Sequence, residues 1–253
     1  MSFDVAAEFY DRFMGGWSRQ LSPLLADLAG VADGQRVLDV GCGPGSLIAE
    51  LVARVGAGNV AAIDPSQPFV EAAQARHPDV DIRLGSAEQL PFHARTFDAA
   101  LAQLVVHFMR DPVAGLREMA RVTKHGGTVA ACVWDFGGNR GPLGPYWAAA
   151  RDLQPDVDDE SHRAGARQGH LVQVFTEAGL EDIREADLAV TRTYPSFEDW
   201  WATFTRGVGP AGTFYASLAP DEQAALEARC RELLPDGSFT LTAHAWAACG
   251  RAR

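Results

Sequence analysis

Nine consecutive residues constrain this chain more than any others: Val37-Leu38-Asp39-Val40-Gly41-Cys42-Gly43-Pro44-Gly45. Val37 to Val40 form an apolar run of strand length, and three alternating glycines follow. Beyond them, Leu47, Ile48, Leu51, Val52 and Val55 fall on one face of a helix. Strand, glycine turn and helix in that order open a doubly wound α/β sheet in which a nucleotide lies against the turn. The backbone must turn sharply and let the ligand approach, and a Cβ would obstruct both. Two details narrow the ligand. A dinucleotide fingerprint needs Gly or Ala at position 46, and this chain has Ser46. Asp39 stands two residues before the first glycine, where a carboxylate repels a pyrophosphate and suits a cationic amino group and a sulfonium.

The chain continues in strand–helix cycles. Val60 to Ile63 make a second buried strand closed by Asp64, a carboxylate placed to accept both hydroxyls of a ribose. Asp64 could instead cap the next helix, although Ser66 ahead of Gln67-Pro68 is the better cap. That helix runs to His77 and stops at Pro78. Val80, Ile82 and Leu84 alternate as a third strand. Thr96 to Ala102 form the fourth strand, followed by Gln103-Leu104-Val105-Val106-His107-Phe108 at the end where such sheets bind ligands. Asp111-Pro112 start a helix closed by Gly126-Gly127, and Thr128 to Trp134 form the fifth strand, ending at Asp135. Repeated strand–helix alternation is the mark of an α/β protein with a parallel sheet.

The pattern D-x-G-x-G-x-G from Asp39 to Gly45 resembles motif I of class I S-adenosylmethionine (SAM)-dependent methyltransferases. Gly85-Ser86-Ala87-Glu88-Gln89-Leu90-Pro91-Phe92 resembles the Gly-Asp-Ala-Glu-x-Leu-Pro-Phe segment that borders adenine in their ubiquinone/menaquinone-type small-molecule branch. Ser86 replaces the Asp of that segment, so Ser86 or a backbone carbonyl must meet the adenine amino group. The aromatic run from Phe9 to Arg19 resembles the Tyr-Asp-containing leader of small-molecule methyltransferases, as a lid or as a packing helix. The resemblance extends from about Tyr10 to Asp135. It implies a doubly wound, Rossmann-like seven-stranded sheet, the last strand antiparallel, with a helical cap. The cofactor implied is SAM, with S-adenosyl-L-homocysteine (SAH) as product. Tyr10, Asp39, Gly41, Cys42, Gly43, Gly45, Asp64, Pro65, Ser86, Ala87, Glu88, Gln103 and Leu104 are expected to bind it. Phe13, Trp17, His107, Trp134, Trp200 and Trp201 are expected at the methyl acceptor, with His107 the first candidate for a general base or else a packed histidine.

The second half is less diagnostic. Phe136 to Pro142 suit a flexible break, and Asp156 to His162 a solvated acidic loop rather than a metal site. Leu171, Val174, Phe175 and Ala178 make a helix ended by Gly179, and Ile183 to Tyr194 a sixth strand. Leu21, Leu24, Leu25 and Leu28 give a helix from about Ser22-Pro23 to Gly30. Ser196-Phe197-Glu198-Asp199 start a helix bearing Trp200, Trp201 and Phe204, and a further helix from about Asp221 precedes a last strand from Phe239 to Cys249. The organisation expected is a lid and helix over 1–35, a SAM-binding core over 36–195, a helical cap over 196–236 and the last core strand over 237–253. The cap is read as a substrate roof or as an extra packing layer.

Composition limits the partners. Net charge is −11 and Lys124 is the only lysine, so a basic stripe for tracking phosphates is missing and nucleic acid is not expected. No apolar run approaches the ~18 residues of a membrane span. The four cysteines show no C-x-x-C pairing, consistent with reduced thiols, and a cytoplasmic monomer or homodimer is expected. The function expected is methyl transfer to a small organic acceptor. The alternatives are a SAM-binding sensor or partner subunit without turnover, or a methyltransferase acting on protein or tRNA. A nicotinamide oxidoreductase is opposed by Asp39 and Ser46.

Overall fold

The computed structural model describes residues 14–205 and 209–253. Strand β1 (Val37–Val40) is buried at every position, as is β2 (Val60–Asp64), because helices cover both faces of the sheet there. Strand β3 (Asp81–Leu84) buries Ile82 but leaves Leu84 54% exposed, as befits the sheet edge. Strands β4 (Phe97–Gln103), β5 (Thr123–Trp134), β6 (Glu181–Tyr194) and β7 (Phe239–Arg251) complete one seven-stranded sheet in the order β3-β2-β1-β4-β5-β7-β6. β1 to β5 pair in parallel, and β7 runs antiparallel to both of its neighbours, β5 and β6. The strand order reverses between β1 and β4. The crevice outside the carboxyl ends of those two strands is therefore where this sheet offers a binding site.

Helices α1 (Gly16–Ala29) and α2 (Ser46–Val55) pack together. α3 (Gln67–Arg76) lies against β2 and β3. α4 (Pro112–Val122) and α6 (His170–Glu177) contact each other and the β4–β7 half of the sheet. The start of α1 differs from the spacing-based expectation: it begins at Gly16 and carries Pro23 inside. Burial of Trp17, Leu21 and Leu25 outweighs the hydrogen bond that proline cannot donate. Its end at Gly30 is as expected, with a left-handed φ of 69° and an N–H bonded to the last turn. α4 ends at Val122, so Gly126-Gly127 fall within β5 instead of closing the helix.

The break expected after β5 is pinned. Asp135, 2% exposed, accepts hydrogen bonds from the Gly138 N–H at 2.8 Å and from Arg140 Nε at 2.6 Å. Beyond it lies α5 (Gly144–Leu153), which sequence spacing did not reveal. α5 joins α7 (Phe197–Trp201), α8 (Gly209–Ser217) and α9 (Pro220–Leu233) in a helical layer. The Tyr146 hydroxyl donates to the Ala211 carbonyl at 2.8 Å, and its ring stacks on Phe204 at 4.5 Å. Trp200 packs against Phe204 at 4.7 Å, and Trp201 stacks on Phe197 at 5.8 Å. Arg229 of α9 pairs with Asp152 of α5 at 2.7 Å.

Candidate active site

The glycine turn hangs from the end of β2. The N–H groups of Gly41 and Cys42 both donate to the Ile63 carbonyl, at 2.7 and 3.0 Å. Gly41 has φ 76°, and a Cβ there would lie 2.5 Å from Val105 Cγ2, so both backbone and packing exclude a side chain. At Gly43, φ 53°, nothing stands within 4 Å of the Cβ position, so the backbone is open to a ligand. Asp64 braces this turn from beneath. One carboxylate oxygen accepts from the Gly43 N–H and the other from the Ser66 N–H, each at 2.8 Å. Burial holds the Asp64 pKa above its ordinary value, and those two hydrogen bonds offset only part of the rise. Each oxygen retains a lone pair, so the same carboxylate can also accept a hydroxyl. Ser66 makes no side-chain cap to α3, so the helix start depends on Asp64 as well. Asp64→Ala should lower the unfolding free energy of the ligand-free protein by about 1.5–3 kcal/mol, read from urea denaturation. An unchanged midpoint with lost cofactor affinity would restrict Asp64 to the ligand.

Asp39 is 1% exposed, and neither carboxylate oxygen has a hydrogen-bond partner among the described residues. Burial, reinforced by the charge of Asp64, pushes its pKa well up. An unpaired buried carboxylate is costly, and a cation at the turn would supply its partner. Cys42 is buried beside it, its thiol pKa raised by burial and by both carboxylates. At the end of β4, Gln103 donates through Nε2 to the Ser18 carbonyl of α1 at 3.1 Å, while its Oε1 is buried without a partner among the described residues. Leu104 follows with φ 61°, a left-handed backbone that a bulky residue rarely adopts, and its N–H donates to the Cys132 carbonyl at 2.9 Å. Such strain gathers at functional strand ends. After β3, the Ser86 hydroxyl donates to the Glu88 carboxylate, whose other oxygen accepts the Arg110 N–H at 2.9 Å. Burial raises the Glu88 pKa, but Ser86 and the backbone N–H donors hold it below the ordinary value. The loop therefore keeps an ionised carboxylate although Ser86 replaces an acid. Ala87 is buried within it, and Pro65 lies exposed after Asp64.

His107 occupies the 3-10 turn after β4 and is buried, with Nδ1 unpartnered among the described residues. Its ring lies 3.9 Å from Phe108 and 5.8 Å from Phe136. Burial, with Arg163 adding, lowers its pKa to about 3, so it is a neutral imidazole and a weak base. At the end of β5, Trp134 is buried with Nε1 unpartnered among the described residues, and Trp17 of α1 meets it edge-on at 6.3 Å. Trp17 is 1% exposed. Trp200 and Trp201 are also buried, facing the aromatic cluster of the helical layer. Tyr10 and Phe13 lie outside the described residues. The stretch expected as a solvated acidic loop buries two of its acids, Asp159 and Glu160. Arg163 from this loop stands over the Phe108 ring at 5.6 Å and 3.6 Å from Glu160. The burial of these two acids was not legible, because nothing in a charge run shows which members tertiary packing will cover. Among the described residues no group of His, Cys, Asp and Glu is arranged to hold a metal ion.

The family described as Methyltransferase domain matches residues 38–131, which span β1 to β5. A demethylmenaquinone methyltransferase of Paenarthrobacter aurescens is 31% identical over 209 residues, covering 74% of this chain and 80% of that protein. The chain belongs to the class I SAM-dependent methyltransferases. Solved structures of other methyltransferases share the fold of this one at low identity. The phosphoethanolamine N-methyltransferase 2 of Haemonchus contortus, solved with SAH, has TM-score 0.62 at 18% identity, covering 99% of this chain and 58% of that one. The geranyl diphosphate C-methyltransferase of Streptomyces coelicolor has TM-score 0.55 at 16% identity, covering 92% of this chain and 78% of that one. Among the described residues of this methyltransferase, no helix is long and apolar enough to cross a membrane.

Proposed function

We propose that this SAM-dependent methyltransferase acts on a small organic acceptor by in-line displacement. The observation that carries the reading is a set of buried polar groups, unpartnered among the described residues, along the adjacent ends of β1, β4 and β5: the Asp39 carboxylate, Gln103 Oε1, His107 Nδ1 and Trp134 Nε1. Buried polar groups normally have partners, so four orphans at one strand-order reversal favour a ligand that provides them. SAM supplies an electrophilic methyl group on a sulfonium, which keeps the bonding electron pair when the methyl leaves. Asp39 would hold the cationic amino-acid end, with Gly41, Cys42, Gly43 and Gly45 as its backbone cradle. Asp64 and Pro65 would take the ribose, Ser86, Ala87 and Glu88 the adenine, and Gln103 and Leu104 the side nearest the acceptor. His107, Phe108, Phe136 and Trp134 would line the acceptor's side, and the layer bearing Trp200 and Trp201 would lie over it.

Aligning a nucleophile with the methyl group is the main work left to the chain, and orientation of that kind contributes up to ~7–11 kcal/mol. Net charge of −11 disfavours a nucleic-acid acceptor. The relative and the neighbour named above act, by their names, on demethylmenaquinone and geranyl diphosphate, both small organic molecules. The test offers methyl-labelled SAM to the protein with a small-metabolite pool, tRNA and a protein mixture. Label should enter the small-molecule fraction. Label in tRNA or protein alone, or SAM bound without being consumed, would overturn the reading.

A further inference from the structure

The loop from Gly85 to Phe92 starts at the binding crevice. The Gly85 N–H donates to the Asp64 carbonyl at 3.0 Å, and a Cβ at Gly85 would lie 2.7 Å from Ile63 Cδ1. The Ile63 carbonyl carries the Gly41 and Cys42 N–H groups, so loop and glycine turn share one support. At the far end of the loop, three successive residues have their carbonyls taken by arginines. Arg121 of α4 donates through Nη2 to the Leu90 carbonyl at 3.1 Å and through Nη1 to the Phe92 carbonyl at 3.0 Å. Arg83 of β3 donates to the Pro91 carbonyl between them at 2.9 Å and lies over the Phe92 ring at 4.5 Å. Glu118, one turn before Arg121, accepts the Leu90 N–H at 2.9 Å and pairs with Arg121 at 2.6 Å. Gly115 of the same helix makes room for the middle of the loop: a Cβ there would meet Met109 Sδ at 2.5 Å and the Ala87 Cβ at 3.6 Å.

Water can satisfy the backbone of a surface loop, so side chains on three successive carbonyls serve to fix its conformation. We infer that Arg121, with Glu118 as its partner, is a positioning residue for SAM: it holds the loop in the conformation that presents Ala87 and the Ser86–Glu88 pair to the adenine. This rests on the adenine placement proposed above. A guanidinium suits the task, because its planar fork reaches both carbonyls and the Glu118 carboxylate together, which a single ammonium cannot. The Arg121 guanidinium holds the Glu118 carboxyl below its ordinary value; burial opposes it and the Leu90 N–H assists. The brace is therefore charged on both sides at neutral pH. Near the crevice Glu88 accepts the Arg110 N–H, so α4 and the residues leading into it grip both halves of the loop. A loop ordered in advance spares SAM binding the entropy of ordering it. It also fixes selectivity. Hypoxanthine has a carbonyl where adenine has an amino group, so it offers an acceptor to the ionised Glu88 and is rejected only while Glu88 is held in place.

Calorimetry on the full chain measures the binding of SAH and of its hypoxanthine analogue, S-inosyl-L-homocysteine, and hydrogen exchange follows the loop amides with and without SAH. The wild type should prefer SAH by about tenfold or more. Arg121→Ala should weaken SAH by about tenfold and the inosyl analogue by less, bringing the two within about threefold of each other. Arg121→Lys, which keeps the charge beside Glu118, should weaken SAH by about threefold, and it carries the test if the alanine variant does not fold. The Leu90 amide should exchange faster in both variants. Unchanged SAH affinity in the folded variants, or an equal loss for both ligands, would overturn the inference, since a general loss of structure does not discriminate between bases. A wild type that binds both ligands alike, or in which SAH protects no amide of residues 85–92, contradicts the adenine placement itself, and the inference falls with it.

Discussion

Asp39→Asn should weaken SAM binding by about 2–5 kcal/mol, the range for truncating one partner of a buried charge pair. The same change should make the ligand-free protein more stable at neutral pH. Asp39 is buried without a hydrogen-bond partner among the described residues, and its pKa is raised by burial and by Asp64. A raised carboxyl pKa means that the folded chain binds the proton more tightly than the unfolded chain does. Stability of the wild type therefore falls as pH climbs from the ordinary carboxyl value, about 3.9, through the raised one. Asp39→Asn lacks that fall, so the gap between mutant and wild type should open with rising pH and close below about pH 4. A cationic ligand restores the ionised form, so SAM binding to the wild type should release a proton and tighten with pH. Calorimetry in two buffers of different ionisation enthalpy reads that release, which should vanish in Asp39→Asn. Equal SAM affinity in the two proteins would place the cationic end elsewhere.

Trp200→Ala should cost about 3–5 kcal/mol of unfolding free energy, the usual loss for truncating a fully buried tryptophan. The ring is 1% exposed and lies 4.7 Å from Phe204, 5.7 Å from Phe197 and 6.2 Å from Trp201. The cluster joins α7 to α5 and to the carbonyl of Ala211 through Tyr146. Its contacts are within the helical layer rather than at the β1–β4 crevice, so SAH affinity should stay within about tenfold, ~1.4 kcal/mol. Urea denaturation beside calorimetry separates the two quantities. A normal denaturation midpoint together with a raised acceptor KM would make the tryptophan part of the acceptor pocket. Trp201, at 7% exposed and edge-on to Tyr215, is the ring of the pair nearer to solvent.

How much of this was legible beforehand follows from the range of the forces involved. The turn from Gly41 to Gly45 and the strand–helix cycles show in the sequence because they depend on local backbone demands and on runs buried on both faces. The antiparallel direction of the last strand came from the family resemblance, whereas its place between β5 and β6 required the fold, since spacing alone leaves strand order open. Pro23 misplaced the start of α1, because a local penalty was outweighed by tertiary burial of Trp17 and Leu21. The role of Asp64 was half legible. Its position at a strand end showed, whereas its bonds to Gly43 and Ser66 required the fold. The burial of Asp159 and Glu160 was also missed: neighbouring Asp156 and Asp158 are solvent-facing, and only tertiary packing distinguishes the two pairs.

The most direct measurement is a crystal structure of the full chain with SAH. The amino-acid end should lie against Asp39 and the Gly41–Gly43 backbone, the ribose hydroxyls on Asp64, and the adenine beside Ser86 and Glu88, with the sulfur turned toward the His107 end of β4. SAH bound away from the β1–β4 crevice, or bound there with Asp39 still unpartnered, would contradict the account.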